Sequence, residues 1–152
     1  MLRRHLSKEI PVMSVIEIHV ISFGYLHDAP PPAHLTLDLR RHFNDPDVNP
    51  TLRYMTAEDL PVRAAVLATP GIQELIAGAA AVVDAYDSGP QDAPLTIAVG
   101  CAGGRHRAAT VARVLARRLG KTGVPVHLTH RDLPKPVVER TAIGDAVTPA
   151  HA

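Results

Sequence analysis

Leu95-Thr96-Ile97-Ala98-Val99-Gly100-Cys101-Ala102-Gly103-Gly104-Arg105-His106-Arg107 is the stretch that decides the fold. Leu95 to Val99 is a short aliphatic run of the kind a buried strand carries. It breaks into a glycine turn at Gly100. From His106 to Leu119 the residues Val111, Val114, Leu115 and Leu119 recur at helical spacing, with Arg113, Arg117 and Lys121 on the other flank and Gly120 as the closing residue. Val124 to His130 then reads as another strand. Strand, glycine turn, helix and strand in this order predict a crossover between parallel strands.

The same turn has the chemistry to gather anions. Amides left unpaired at a helix start, the positive end of the helix dipole, and glycines that let the main chain come close all favour a phosphate. Arg105 and Arg107 add guanidinium donors suited to phosphate geometry. The structural alternative is a tight turn whose glycines only permit packing. A nucleotide P-loop is not present, because the turn lacks the terminal Lys followed by Ser or Thr.

Cys101, five residues and then Arg107 is also the spacing of cysteine-dependent phosphatases, in which a thiolate attacks phosphorus while loop amides and the arginine hold the other oxygens. Ala108 stands where those enzymes carry a Ser or Thr, and Gly100 rather than His precedes the cysteine. Cys101 is therefore read either as a nucleophile with Arg107 as its clamp or as an inert buried thiol.

Working outward, Val15 to Phe23 reads as a first strand ended by Gly24, and Leu35 to Leu39 as a second that delivers Asp38 and Arg40 to one side. His42 to Pro61 is a turn-rich loop. Pro61 to Ala68 reads as a short helix, and Thr69-Pro70 as the N-cap and first-turn proline of a longer one. That helix shows its apolar face through Leu75, Ile76, Ala79, Val82, Val83 and Tyr86 and ends near Ser88-Gly89-Pro90. The expectation is a single α/β domain: a small, mostly parallel sheet of about four strands with helices packed on it. Residues 1–13 are assigned to a loose arm, 14–133 to an anion-binding domain and 134–152 to a mobile tail.

Composition narrows the function. The 152 residues are 46% apolar but only 3% aromatic, so branched aliphatics and alanine fill the core and no aromatic platform for single-stranded nucleic acid is expected. A formal charge of +1 makes local patches matter more than the total. One cysteine excludes an internal disulfide and a thiolate zinc site, and the nine histidines lack metal-ligand spacing, so no metal is expected. No run of about 18 apolar residues argues for a membrane span. The expected location is the cytoplasm.

Read with Ser22-Phe23-Gly24, Asp38-Leu39-Arg40, Asn44, Arg53-Tyr54-Met55-Thr56 and His130-Arg131-Asp132, the block Gly100 to Arg107 resembles the C-terminal domain of the RapZ family of RNase adapter proteins, over about residues 17 to 135. The family loop commonly reads Gly-Cys-Thr-Gly-Gly-Lys/Gln-His-Arg-Ser. Here Ala102 replaces Thr, Ala108 replaces Ser and Arg105 replaces Lys or Gln, which removes two hydroxyls and adds a guanidinium.

The resemblance implies a regulatory binding domain rather than a catalyst. In the family, such domains sense glucosamine 6-phosphate, bind small regulatory RNAs and support oligomerisation. It implies a ligand pocket lined by Cys101, Ala102, Gly103, Gly104, Arg105, His106 and Arg107, with Asp38, Arg40, Asn44, Arg53, Thr56, His130 and Arg131 contributing. No cofactor is implied, only phosphate or a sugar phosphate as ligand. The family's kinase-like module with its P-loop has no counterpart in these residues, so no ATP site is expected. Structured RNA along the Arg113, Arg117, Arg118 and Lys121 flank is the alternative partner.

Overall fold

The computed structural model describes residues 16–139. Within them, β1 (Ile18–Gly24), β2 (Leu35–Asp38), β3 (Leu95–Cys101) and β4 (Val126–His130) form one sheet in the order β2-β3-β1-β4. Every pairing is parallel, with Gly24 beside Cys101, Asp38 beside Gly100 and Ser22 beside His130. All four carboxyl ends therefore lie along one edge. Ligands of open parallel sheets collect at that edge.

Three helices complete the domain: α1 (Leu60–Leu67), α2 (Ile72–Asp87) and α3 (Arg107–Gly120). The last of these packs on β1, β3 and β4, while α1 and α2 pack on α3. Ala108, Ala109, Ala112 and Ala116 on α3 are buried, and their small side chains let both layers approach closely. Ile97, Val111 and Leu115 are fully buried, each contributing about 1.5–3 kcal/mol by leaving water. The opposite face of the sheet carries exposed Thr36, His127 and Thr129, as in a sheet packed mainly on one side, and edge strand β4 exposes Leu128 as well.

The α/β class and the strand set agree with the sequence reading, and several boundaries move. β3 runs on to Cys101, so the cysteine belongs to the strand rather than to the turn. Thr69 and Pro70 do not begin α2. Thr69 O accepts from the Ile72 amide across Pro70 and Gly71, and Gly71 has φ +90°, which is the proline–glycine order of a type II turn. This turn bends the chain by 82° between α1 and α2. Gly120 is the last residue of α3, and Gly123, at φ +84°, makes the left-handed turn that follows.

Of the segment assigned to a tail, Pro134 to Glu139 lies against the glycine loop and the Arg53–Tyr54 turn; residues 1–15 and 140–152 lie outside the described part. Among the described residues no single helix is long and apolar enough to cross a membrane.

Candidate functional site

β3 brings Cys101 to the carboxyl edge with only 2% of its surface exposed. Its Sγ accepts hydrogen bonds from the amides of Gly104 at 3.3 Å and Ala108 at 3.4 Å. The second of these lies in the first turn of α3, where His106 offers no side-chain cap. The sulfur takes over the capping role. The amides of Gly103, Arg105, His106 and Arg107 find no acceptor among the described residues. Four N–H groups without an acceptor among the described residues, at the positive end of a helix, are of the kind that favours an anion.

Arg107 ties this loop to the chain after β2. Only 3% exposed, its Nη1 donates to the carbonyls of Leu39, Arg40 and Phe43 at 3.1–3.2 Å, and its Nη2 to Asp45 at 2.9 Å. Its Nε is buried without a partner among the described residues. A second tie comes from the turn-rich loop. His106 Nε2 meets Met55 O at 2.8 Å, Arg105 O accepts from the Ala57 amide at 2.8 Å, and Arg105 Nη2 donates to Tyr54 O at 3.1 Å.

The third tie is Asp132, fully buried beyond the end of β4. It accepts from the Gly24 amide at 2.7 Å and pairs with Arg131 at 2.9 Å and Lys135 at 2.6 Å. Burial alone would raise its carboxyl, but the bonds from Arg131, Gly24 and Lys135 outweigh that and hold it below the ordinary value.

Between these ties lies a narrow cleft, with about 30 Å³ open to a water-sized sphere, lined by Cys101, Ala102, Gly103, Arg105, His106 and Arg107 together with Leu26, Asp45, Asp47, Val137 and Val138. Gly104 stands behind the lining at φ +77°. The remaining residues of the family blocks lie off this lining. Asp38 and Arg40 form an exposed pair at 2.7 Å, with Arg40 stacked 3.5 Å over the Tyr25 ring, and Asn44 is exposed nearby. Thr56 orders the entry to α1: its amide donates to Asp59, and its Oγ1 accepts from the Glu58 amide. Arg53 pairs with Glu139.

His130 Nδ1 meets Ser22 Oγ at 2.6 Å, and burial holds its pKa below the ordinary value. Arg131 staples the turn after β1 through the carbonyls of Gly24, Asp28 and Ala29.

Sequence reading missed Leu26, Asp45, Asp47, Val137 and Val138. It also passed over His27, whose Nε2 is buried without a partner among the described residues and whose pKa is lowered, chiefly by burial. The signals available were weak: Asp45 sits in a turn motif, and His27 follows the Ser22-Phe23-Gly24 block by a few residues. Among the described residues no cluster of three or more His, Cys, Asp or Glu side chains is arranged to hold a metal.

Fold and loop together define a single parallel α/β domain organised around a strand, a glycine loop and a helix at the carboxyl edge of its sheet. The chain belongs to the RapZ C-terminal domain family, whose model matches residues 16–134. It is 41% identical over 121 residues to a nucleotide-binding protein of Thermobifida fusca, covering 78% of this chain and 41% of that protein. A nucleotide-binding protein of Corynebacterium jeikeium is 35% identical over 137 residues, 87% of this chain and 47% of its own length. One from Limosilactobacillus fermentum is 36% identical over 121 residues, 78% and 42% of the two chains. The chain thus spans less than half the length of these curated relatives.

Proposed function

We propose that this domain is a regulatory binding module for a phosphorylated small molecule, a sugar phosphate above all, held by the loop Cys101 to Arg107. The observation that carries the reading is the set of free amides at Gly103, Arg105, His106 and Arg107 around a sulfur that already caps Gly104 and Ala108. A phosphate oxygen satisfies such amides without any side-chain hydroxyl, so Ala102 and Ala108 do not remove the binding chemistry. Membership in the RapZ C-terminal family supports a regulatory role. The relatives are named for binding nucleotides, which present the same phosphate chemistry.

Binding is favoured over a cysteine-dependent phosphatase because both Nη atoms of Arg107 are committed to Leu39, Arg40, Phe43 and Asp45, away from the oxyanion-clamp role. RNA is the alternative partner, through the exposed Arg113, Arg117 and Arg118 of α3, and we place the protein in the cytoplasm, with self-association as a further property.

Thermal unfolding with inorganic phosphate, amino-sugar phosphates and nucleotides at millimolar concentration tests the reading. A ligand at ten times its Kd stabilises by about 1.4 kcal/mol, which raises Tm by several degrees. Gly103→Asp is the control, since a Cβ there meets nothing within 4 Å and the added carboxylate repels an anion at the neighbouring amides. A shift with a sugar phosphate that this variant loses supports the proposal. No shift with any anion refutes it. Hydrolysis of p-nitrophenyl phosphate that disappears in Cys101→Ser would move the assignment to the phosphatase.

A further inference from the structure

The segment after β4 does not leave the domain. Asp132 anchors it through Lys135, and Arg105 Nη1 then donates to Lys135 O at 2.8 Å. Val137 and Val138 follow and line the same cleft as Cys101 and Gly103. Its far end is fastened by Glu139, whose Oε2 accepts from Arg53 Nη2 at 2.6 Å and whose Oε1 accepts from Tyr54 Oη at 3.3 Å. The glycine loop and the Arg53–Tyr54 turn are thereby bridged by one short strip of chain that roofs the cleft.

Two of the guanidinium groups that sequence resemblance places at the ligand each give one nitrogen to this strip, Arg105 through Nη1 and Arg53 through Nη2, while Arg105 Nη2 goes to Tyr54 O and Arg53 Nε lies 3.9 Å from Asp47. Their partners are unequal. Asp132 at the near end is fully buried, whereas the Glu139 side chain is 65% exposed. An exposed ion pair contributes only about 0–1 kcal/mol, so the far end releases first.

Granted that the Cys101–Arg107 loop takes an anion, we propose that Leu133–Glu139 is an autoinhibitory strap. Glu139 latches it to Arg53 and Tyr54, and it must lift before a phosphate-bearing ligand reaches the loop amides. Arg53 is then the anchor of the latch and not a contact to the ligand. Ligand binding is weakened by the fraction of time the strap is closed, and loosening the latch recovers that affinity.

The test is the affinity of inorganic phosphate, by calorimetry or amide chemical shifts, in wild type, Glu139→Gln, Arg53→Gln and Gly103→Asp. The two latch variants change charge in opposite directions. Both are expected to bind phosphate about two- to fivefold more tightly and to speed hydrogen exchange at Lys135 to Glu139. Simple electrostatics, or direct contact of Arg53 with the anion, requires Arg53→Gln to bind more weakly. That result, or unchanged affinity in both variants while wild type binds and Gly103→Asp does not, overturns the strap and leaves the loop as the ligand site. No phosphate binding in any of the four proteins removes the loop reading and the strap with it.

Discussion

Gly24 and Gly104 meet backbone to backbone. A Cβ on Gly24 would lie 2.5 Å from the carbonyl carbon of Gly103, and one on Gly104 would lie 2.8 Å from the Gly24 nitrogen. The end of β1 thus sets the height at which the glycine loop leaves β3. Gly104→Ala adds both this clash and a left-handed backbone to the cost. We expect it to lose about 2–4 kcal/mol of stability, read as a lower urea midpoint. Gly103→Ala should stay within about 0.5 kcal/mol of wild type. Equal midpoints for the two variants would contradict the close approach.

Arg107 and Asp45 form the second joint of the site, at 2.9 Å with the arginine almost wholly buried. Removing the guanidinium leaves three carbonyls and a carboxylate without their donor. Arg107→Ala should cost about 3–5 kcal/mol, and Arg107→Lys should recover only part of it, because one ammonium cannot span the same set. A double-mutant cycle with Asp45→Asn should give a coupling of about 1–3 kcal/mol. Additive losses would mean that the pair is not a joint.

Asp132 makes stability depend on acid. Its folded pKa lies below the ordinary value, so its contribution is fully present above about pH 3.9 and is lost as pH falls through the lower folded value. Asp132→Asn should be less stable at pH 7 by about 2–4 kcal/mol. The gap between the two proteins should close in strong acid. A gap independent of pH would show that the charge is not what the Gly24 amide, Arg131 and Lys135 hold.

His27 and His130 act in the opposite chemical sense, since burial favours their neutral rings. The unfolded chain takes up protons below about pH 6.5 while these folded rings resist until lower pH. Stability should therefore fall as pH drops from 6.5 toward their folded values. NMR titration should place both rings below the ordinary histidine range. A midpoint at or above 6.5 for His130 would contradict its half-buried contact with Ser22.

The fold was legible wherever the signal is local. Leu95 to Val99 is aliphatic enough to be a buried strand, and α3 shows its face through Val111, Leu115 and Leu119. The glycine loop was legible for the same reason, as one continuous piece of chain. Thr69-Pro70 misled because a proline after a threonine serves a helix start and a tight turn equally, and Gly71, which decides between them, comes one residue later.

Asp45, Leu26 and Val137 reach the cleft only through sheet order and the turns after β1, β2 and β4, which no local pattern encodes. Asp38 and Arg40 show the converse. They share a side of the chain as expected, but they pair with each other and stack on Tyr25 off the lining of the cleft. Phe23, Tyr25 and Arg40 also form a small aromatic cluster that a 3% aromatic content gives no reason to expect.

The most direct test of the central claim is a phosphate titration of the isotope-labelled chain followed by amide NMR. The N–H groups of Gly103, Arg105, His106 and Arg107 should show the largest saturable shifts, and Gly103→Asp, which puts a carboxylate beside them, should abolish them. Uniform small shifts across the surface, or shifts confined to the basic flank of α3, would show that the loop is a packing turn and not a seat for an anion.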